Sequence, residues 1–340
     1  MKGVRCTVHG TLDGLRIEEI PDPVPAAGEV VVDVVVAAVN FPDVLFVADR
    51  YQMSVPVPFT PGSEFAGVVS AVGPGVSAVA VGDRVSGRVM TGAFAERVLA
   101  PATAVTPVPE GVDLAAAAAS GVTFATAYSA LRSVAELRPS EWVAISGAAG
   151  GVGSAAVVLA RHLGGRALAV VSSSAKARFC RDLGADAVVD LSTTADPKQR
   201  IREVTGGGAD VVIDVVGGDL AETLLRAMRR GGRFVTVGYA SGTIPRIPLN
   251  LVLLKQVAIL GFDVRTFPHD HPAAAARDAA EIAVLQRQGI GATVTVRYPL
   301  ERAVEALQAV AGGRTTGKVV VDVAERAGPI SNADTPKTGR

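Results

Sequence analysis

This sequence contains little cysteine, little histidine and few aromatic side chains. Its 340 residues include two cysteines, four histidines and 4% aromatic residues. Two cysteines cannot form a disulfide framework or a multi-cysteine zinc site, and such scarcity is typical of a protein in a reducing compartment. The formal net charge is zero, and no block of basic residues favours nucleic acid as a partner. We therefore expect a cytoplasmic protein whose partner is a small molecule.

Long apolar runs are also absent. The segment Ala115–Ala119 is too short to cross a bilayer, and Met1–Arg5 leads into a mixed sequence rather than the apolar region of a signal peptide. We expect no membrane partner. Hydrophobic residues nevertheless make up 49% of the chain, so valine, alanine and leucine must fill the core. A length of 340 residues indicates an enzyme of one or two domains.

The first hundred residues have the pattern of a β-rich, barrel-like domain. Short apolar runs from Lys2 to about Leu99 are separated by glycine and proline. Val30–Val39 is almost continuously apolar, with Asp33 as its single charge, which predicts a strand buried on both faces. Gly62–Val72 and Gly82–Val89 are further predicted strands between glycine turns.

From Asp113 onward the pattern changes to alternating strands and helices, beginning with an alanine-rich helix at 115–120. Strands are predicted at residues 142–145, 167–171, 187–189, 211–216, 234–237 and 258–262, and helices at 155–163, 176–183, 199–204 and 221–228. This alternation predicts a doubly wound parallel sheet in an α/β protein. A helix at 273–288, a strand at 293–297, a helix at 300–310 and a strand at 318–323 follow. The tail from Glu325 is predicted to be disordered.

The first predicted strand of this sheet ends in a glycine-rich turn that opens a helix. A strand, a tight glycine turn and a helix in that order form a dinucleotide-binding unit, with the diphosphate at the helix N-terminus. Gly150 would let the backbone approach the diphosphate, and Gly153 would let the helix pack closely on the strand. The alternative is an ordinary strand–helix turn in an alanine-rich protein. The predicted cofactor-binding residues of the turn are Ala148, Ala149, Gly150, Gly151, Val152 and Gly153.

The next strand–helix junction predicts which dinucleotide binds. An NAD site carries an acidic residue about 20 residues after the turn, but this chain has Ser172, Ser173, Lys176 and Arg178 there and no acid before Asp182. Hydroxyl groups and an ammonium group bind a 2′-phosphate by charge-assisted hydrogen bonds. These residues therefore predict NADPH, with Lys176 as the main phosphate ligand. Serines that cap the helix are the alternative interpretation, and both can hold together.

Several short motifs, taken in order, resemble the medium-chain dehydrogenase/reductase superfamily, and within it the zinc-free quinone oxidoreductase, or zeta-crystallin-like, branch. The resemblance covers about Lys2 to Val323. Its motifs are Val39–Asp43, Pro61–Gly67, Gly82–Val85, Val122–Tyr128, the glycine turn, Gly232–Val235, Leu249–Lys255 and Thr316–Val320.

The resemblance implies a GroES-like catalytic domain, a Rossmann domain inserted into it, and NADPH in the cleft between them. We assign residues 1–120 and 265–325 to the GroES-like domain, 121–264 to the Rossmann domain and 326–340 to a disordered tail. The resemblance also implies a homodimer that pairs through the edge of the Rossmann sheet, an edge that Val257–Phe262 could supply.

The resemblance further implies the residues around the reacting end of the cofactor. The predicted catalytic residues are Asn40, Asp43, Tyr51 and Thr126, and the additional cofactor contacts are Val152, Gly238, Tyr239, Ser241 and Phe262. The amide and hydroxyl groups offer hydrogen bonds, and the Tyr51 phenol could donate to a developing oxyanion. Simpler roles remain open: Tyr51 as a surface aromatic, Asp43 as an acid at a helix N-terminus, and Thr126 as a cap.

Zinc-dependent relatives carry a cysteine at the position of Asn40 and a histidine at the position of Ser63. The histidines of this chain are elsewhere, at His9, His162, His269 and His271, so the sequence predicts no metal. Without a Lewis acid to stabilise an alkoxide, hydride transfer to an electron-poor acceptor is the easier reaction.

The sequence thus predicts an NADPH-dependent reductase of a quinone or an enone. No Ser–His–Asp or Cys–His arrangement indicates covalent catalysis, so the proton is expected to come from water. Two alternatives remain: an enoyl-thioester reductase acting on enoyl-CoA or an acyl carrier protein, and an NADPH-binding protein with little turnover.

Overall fold

A computed structural model describes residues 1–324. The tail predicted to be disordered lies outside the described residues. The described part contains two large sheets and one small hairpin, which pairs β1 (Lys2–Arg5) with β2 (Arg16–Glu19) in antiparallel fashion.

The first large sheet is arranged around one long apolar strand. β3 (Glu29–Ala38) pairs along its length with three other strands. All of its valines except Val35 are buried, which confirms the strand predicted at Val30–Val39. The other strands are β4 (Glu64–Val72), β5 (Arg84–Arg88), β6 (Arg97–Pro101), β7 (Val105–Pro107), β14 (Val294–Pro299) and β15 (Lys318–Asp322). The order is β14-β15-β3-β4-β5-β7, with β6 also on β3.

This sheet joins the two ends of the described chain. β15 pairs antiparallel with β3, so Val320 lies opposite Ala38, and β14 pairs parallel with β15. The C-terminal strands therefore complete the sheet that the N-terminal strands begin, and the second sheet lies between them in the sequence.

The second sheet is parallel throughout and has the order β10-β9-β8-β11-β12-β13. Apolar runs bounded by glycine form its strands because both faces are covered by helices. Its strands are β8 (Trp142–Ser146), β9 (Arg166–Val171), β10 (Ala187–Asp190), β11 (Ala209–Asp214), β12 (Met228–Thr236) and β13 (Ala258–Gly261). A GroES-like sheet with a Rossmann sheet confirms the predicted α/β fold class.

Most predicted helices are present, and the described helices longer than a single turn are these: α1 (Phe41–Val47), α2 (Leu114–Ala118), α3 (Ala125–Ser129), α4 (Gly151–His162), α5 (Ser174–Asp182), α6 (Pro197–Val204), α7 (Asp219–Ala227), α8 (Leu249–Lys255), α10 (Pro272–Arg287) and α11 (Ala303–Ala311). A single turn, α9 (Phe267–Asp270), precedes α10. Short 3-10 turns occupy Leu12–Gly14, Ala102–Ala104 and Leu300–Arg302.

Four parts of the chain differ from the sequence-based expectation. α1 and α8 were not predicted as helices, because each has only seven residues. β12 begins at Met228 instead of Phe234, since Gly231 and Gly232 continue the strand and do not end a helix. The helical region after Asp113 is interrupted by π-helical turns at Ser120–Phe124 and Ala130–Val134, a feature often found near functional sites.

Both cysteines, Cys6 and Cys180, are buried and free. Among residues 1–324, no helix combines the length and apolarity needed to cross a membrane.

Candidate active site

The glycine turn connects β8 to α4 with little space for side chains. Gly147 has φ of +56°, a left-handed conformation that glycine adopts without strain. A Cβ at Gly153 would lie 2.2 Å from the Gly147 carbonyl oxygen, so the helix can approach the turn only with glycine there. At Gly150 the nearest atom to such a Cβ would be the same oxygen at 3.4 Å, which is ordinary contact.

Two buried polar side chains, neither of them predicted from the sequence, support this turn. The Ser146 hydroxyl at the end of β8 donates to Oδ1 of Asp214 at 2.5 Å and accepts from the Val215 N–H at 2.9 Å. The same Asp214 oxygen accepts from the Gly217 N–H at 3.1 Å. The carboxyl ends of two neighbouring strands are thereby tied together directly beneath the turn. The sequence did contain a signal for both residues, because Ser146 and Asp214 are polar residues that each end a strand after an apolar run.

The serine and lysine residues predicted to bind the 2′-phosphate lie together at the start of α5. Ser173 is the N-cap, and its hydroxyl accepts from the Lys176 N–H at 3.4 Å, so the capping role is confirmed. The Lys176 ammonium donates to the Ser172 hydroxyl at 3.2 Å and to the Gly313 carbonyl at 2.8 Å. Arg178 lies on the exposed side of the helix.

An acidic residue that the sequence analysis did not consider is adjacent to this group. Asp190 ends β10, and its Oδ2 accepts from the Ser174 hydroxyl at 2.6 Å. Its Oδ1 accepts from the Ser192 hydroxyl at 2.6 Å. The carboxyl ends of parallel strands meet at one edge of a sheet, so the topology brings this acid to the serines although 16 residues separate Ser174 from Asp190.

In the other sheet, Asn40 belongs to a buried cluster of charged and polar groups. Its side-chain oxygen accepts from the Lys318 ammonium at 2.5 Å, and its side-chain nitrogen donates to Glu64 at 3.1 Å. Lys318 also forms a salt bridge with Glu64 at 3.2 Å, in which the two side chains are 2% and 1% exposed. The third lysine proton has the Val39 carbonyl as its acceptor, at 3.0 Å. The oxygen and the nitrogen of the Asn40 amide are thus both hydrogen-bonded within the protein.

This cluster directly contacts the glycine turn. The Gly317 N–H donates to the Ala149 carbonyl at 2.7 Å. A Cβ at Gly151 would lie 3.4 Å from Cδ of Lys318 and 3.0 Å from the Thr123 methyl group. Glu64 accepts the Val122 N–H of the first π-helical turn at 2.6 Å. Hydrogen bonds and contacts therefore connect the two sheets at the point where the dinucleotide turn begins its helix.

Asp43 is an acid at a helix N-terminus, as the simpler alternative held. Its carboxylate accepts the N–H of Asn40, the N-cap of α1, at 2.7 Å. Burial raises the pKa of the Asp43 carboxyl to about 7, although the Asn40 N–H and the Lys318 ammonium act to lower it. Oδ1 of this carboxyl is buried without a hydrogen-bond partner among the described residues.

Tyr51 is half-buried and packs between groups from both parts of the chain. Its ring centroid lies 4.7 Å from that of Phe46, and the Arg265 guanidinium lies 5.2 Å from the Tyr51 ring centroid. Burial raises the pKa of the Tyr51 phenol, while the Arg265 charge acts to lower it and the Asp263 charge to raise it. An arginine from beyond the second sheet therefore covers part of this loop aromatic.

Most of the remaining predicted contacts follow the carboxyl ends of β12 and β13. The segment at Gly238–Ser241 runs beside the loop after β11, with the Ala240 N–H donating to the Val215 carbonyl at 3.0 Å. Phe262 follows β13 and is buried against Phe267, with ring centroids 5.3 Å apart. Val152 is half-buried at the start of α4, and Thr126 is buried in α3.

Within residues 1–324, no three His, Cys, Asp or Glu side chains are grouped closely enough to hold a metal ion. A Rossmann sheet with this glycine turn, joined to a GroES-like sheet at Lys318, defines the class of two-domain, dinucleotide-dependent dehydrogenases and reductases.

Comparison with known proteins agrees with this class. The alcohol dehydrogenase GroES-like domain family matches residues 26–110, and the zinc-binding dehydrogenase family matches residues 151–281. Mouse quinone oxidoreductase-like protein 2 is 34% identical over 91% of this chain and 89% of its own length. A solved structure of the Thermus thermophilus quinone oxidoreductase, studied also as its NADPH complex, is 33% identical with a TM-score of 0.82, over 95% of this chain and 100% of that one.

A second kind of relative is much longer. A mycocerosic acid synthase-like polyketide synthase of Mycobacterium tuberculosis is 33% identical over 92% of this chain, but the match spans 15% of the synthase. The chain belongs to the zinc-free quinone oxidoreductase branch of the medium-chain dehydrogenase/reductase superfamily, as the resemblance predicted.

Proposed function

We propose that this chain is an NADPH-dependent oxidoreductase that reduces a quinone or an enone. The observation that carries the proposal is the junction at Gly317 and Lys318. It holds the buried polar cluster and Thr123 against the first residue of the dinucleotide helix. A cofactor on the glycine turn and an acceptor near Tyr51 would therefore share one cleft between the two sheets.

The residues of the glycine turn and of α5 fit NADPH. Since the fold itself does not require glycine at Gly150, close approach of a ligand is the better reason for its presence. The N–H groups at the start of α4 would hold the diphosphate. Ser172, Ser173 and Lys176, with Arg178 at the rim, would hold the 2′-phosphate, and Lys176 would then exchange the Gly313 carbonyl for a phosphate oxygen.

The acceptor side requires few groups, because hydride transfer depends on proximity and a dry pocket. When bound, NADPH supplies the hydride. The Tyr51 phenol and the Thr126 hydroxyl are proposed to donate to the acceptor oxygen, where negative charge develops. Asn40, whose amide is held by Lys318 and Glu64, would shape the cleft, and Phe262 and Val152 would exclude water beside the nicotinamide.

The test measures NADPH oxidation with 9,10-phenanthrenequinone, 1,4-benzoquinone and an enone after dialysis against a chelator, with NADH in parallel. The proposal predicts turnover that survives chelation and prefers NADPH. NADPH that binds but is oxidised by none of these acceptors would overturn it and favour a binding protein with little turnover.

An enoyl-thioester reductase is the second candidate, favoured by the match to a segment of polyketide synthases. The hydride chemistry is the same, and the acceptor is a conjugated thioester. Crotonyl-CoA added to the acceptor panel separates the two: a kcat/KM for crotonyl-CoA well above that of every quinone would select the thioester.

We also propose that the chain forms a homodimer through the β13 edge of the Rossmann sheet. β13 is the last strand of its sheet, and the adjoining helix α8 exposes large apolar side chains. Leu249 and Leu253 are both 76% exposed, and Leu254 is 68% exposed. Leu253→Glu should convert the dimer to a monomer in light-scattering chromatography, whereas Val284→Glu, at an exposed position on α10, should not. A monomeric wild type would contradict the proposal.

A further inference from the structure

The cleft beside Tyr51 contains an arginine that the proposed function does not use. Three arginines of the C-terminal third of the chain, Arg246, Arg265 and Arg297, could supply a positive charge to a bound acceptor. Arg297 pairs with Asp322 on the β14–β15 strands, and Arg246 lies in the loop before α8. Arg265 is the one of the three that contacts Tyr51, with its guanidinium carbon 5.2 Å from the ring centroid.

Arg265 is held in a fixed orientation. Its Nη2 donates to Oδ2 of Asp263 at 2.8 Å, and its Nε donates to Oδ1 of Asp263 at 3.3 Å. Its Nη1 lies 2.8 Å from the Met53 sulfur. Asp263 directly follows Phe262, and Met53 belongs to the same loop as Tyr51. The arginine therefore connects the segment after β13 with the Tyr51 loop.

A cation over an aromatic face is attracted by the electrons of the ring. It also stabilises the phenolate relative to the phenol, so it makes the O–H group a stronger hydrogen-bond donor. Burial acts on the phenol in the opposite sense. A stronger donor has most value where negative charge develops on the acceptor oxygen.

We propose that Arg265 is a positioning residue that acts through Tyr51: it holds the ring against Phe46 and strengthens the phenol as a donor to the acceptor oxygen. This role rests on the proposed function. The acceptor carbon gains a hydride, the displaced electron pair moves to the acceptor oxygen, and a proton from water neutralises it, while NADPH becomes NADP⁺. Tyr51 donates a hydrogen bond throughout and keeps its proton.

The experiment compares Arg265→Gln, Tyr51→Phe and the double variant with 9,10-phenanthrenequinone as acceptor. Arg265→Gln should lower kcat about tenfold with an unchanged KM for NADPH, since loss of one donor's support affects the transition state. In the Tyr51→Phe background, the same change should have less than about a twofold effect, because the group through which it acts is gone. Arg265→Lys should recover part of kcat.

The chain provides a matched control. Arg302 lies 5.5 Å from the Tyr298 ring centroid and pairs with Glu305, an equivalent arrangement at the start of α11. Arg302→Gln should leave kcat unchanged. Ultraviolet titration of tyrosinate gives a readout independent of turnover: the signal that Tyr51→Phe removes should move to higher pH in Arg265→Gln.

Equal loss of kcat in both backgrounds, or a tyrosinate titration that does not move, would overturn the proposal and leave Arg265 a structural role. Failure of the proposed function gives a different result. If none of the acceptors supports NADPH oxidation by the wild type, both proposals are overturned. This holds even if the Tyr51 titration still responds to Arg265→Gln.

Discussion

The buried ion pair of Lys318 and Glu64 leads to the sharpest prediction of stability. We consider Lys318→Met, which keeps most of the side-chain volume and removes the charge. Glu64 would retain the Val122 N–H and the Asn40 amide as donors, at 2.6 and 3.1 Å, but it would lose its counter-charge. With the side chains 2% and 1% exposed, solvent cannot compensate for that loss.

Breaking a buried pair on one side costs about 3–5 kcal/mol, because it leaves an unpaired buried charge. Lys318→Met should therefore lower the free energy of unfolding at pH 7 by about this amount. Lys318→Met with Glu64→Gln removes both charges and should recover more than half of the loss. The interaction free energy between Lys318 and Glu64, obtained from this double-mutant cycle, is the quantity that identifies an ion pair.

The assay is urea denaturation of the cofactor-free protein, extrapolated linearly to water. Arg302→Met is the control, because the side chains of the Arg302–Glu305 pair are 56% and 52% exposed and such pairs contribute less than about 1 kcal/mol. A loss for Lys318→Met no larger than that of Arg302→Met, or a double variant less stable than the single one, would refute the reasoning.

Three further predictions concern the cofactor site and Asp43. Lys176→Ala should raise the KM for NADPH at least about tenfold and leave that for NADH unchanged, because a charge-assisted hydrogen bond is lost; an unchanged ratio of the two KM values would contradict the assignment. Gly153→Ala should lower the free energy of unfolding by about 1–3 kcal/mol, because its Cβ would meet the Gly147 oxygen at 2.2 Å. Gly150→Ala should leave the free energy of unfolding unchanged and weaken NADPH binding in a fluorescence titration. Asp43 has a folded-state pKa of about 7 against an ordinary 3.8, so folding takes up a proton between these values and wild-type stability falls as the pH rises through this window. Asp43→Asn should remove that fall, which between pH 5 and pH 8 spans about two pKa units and so amounts to at most about 3 kcal/mol; thermal unfolding at both pH values measures it, and a parallel fall in the variant would count against the raised pKa.

The sheets were predictable because their signal is local. Val30–Val39 and Trp142–Ile145 are apolar runs that end at polar or glycine-containing segments, and burial on both faces requires such runs. The short helices α1 and α8 were not predictable in this way. Each has only seven residues, and a helix this short depends on tertiary packing and, in α1, on the cap at Asn40.

The residues of the candidate site also fall into those with local sequence signals and those without. The glycine turn and the Ser173 cap lie within a few residues of the elements that they join, so spacing alone predicts them. The partners of Asn40 do not have this property, because Lys318 lies 278 positions away. Asp214, Asp190 and Arg265 have the same character: each acquires its role from a contact that only the folded chain creates.

The Lys318 cluster also bears on the chemistry that the cleft can support. The Asn40 amide contacts Ser63 at 3.4 Å and Glu64 at 3.1 Å. A lysine ammonium with three acceptors and a glutamate with three donors form a neutral, saturated pair. It offers no free charge to polarise an alcohol or a simple ketone. This agrees with the proposal that the acceptor is electron-poor already, in which case the hydroxyl groups of Tyr51 and Thr126 would be the donors that act on its oxygen.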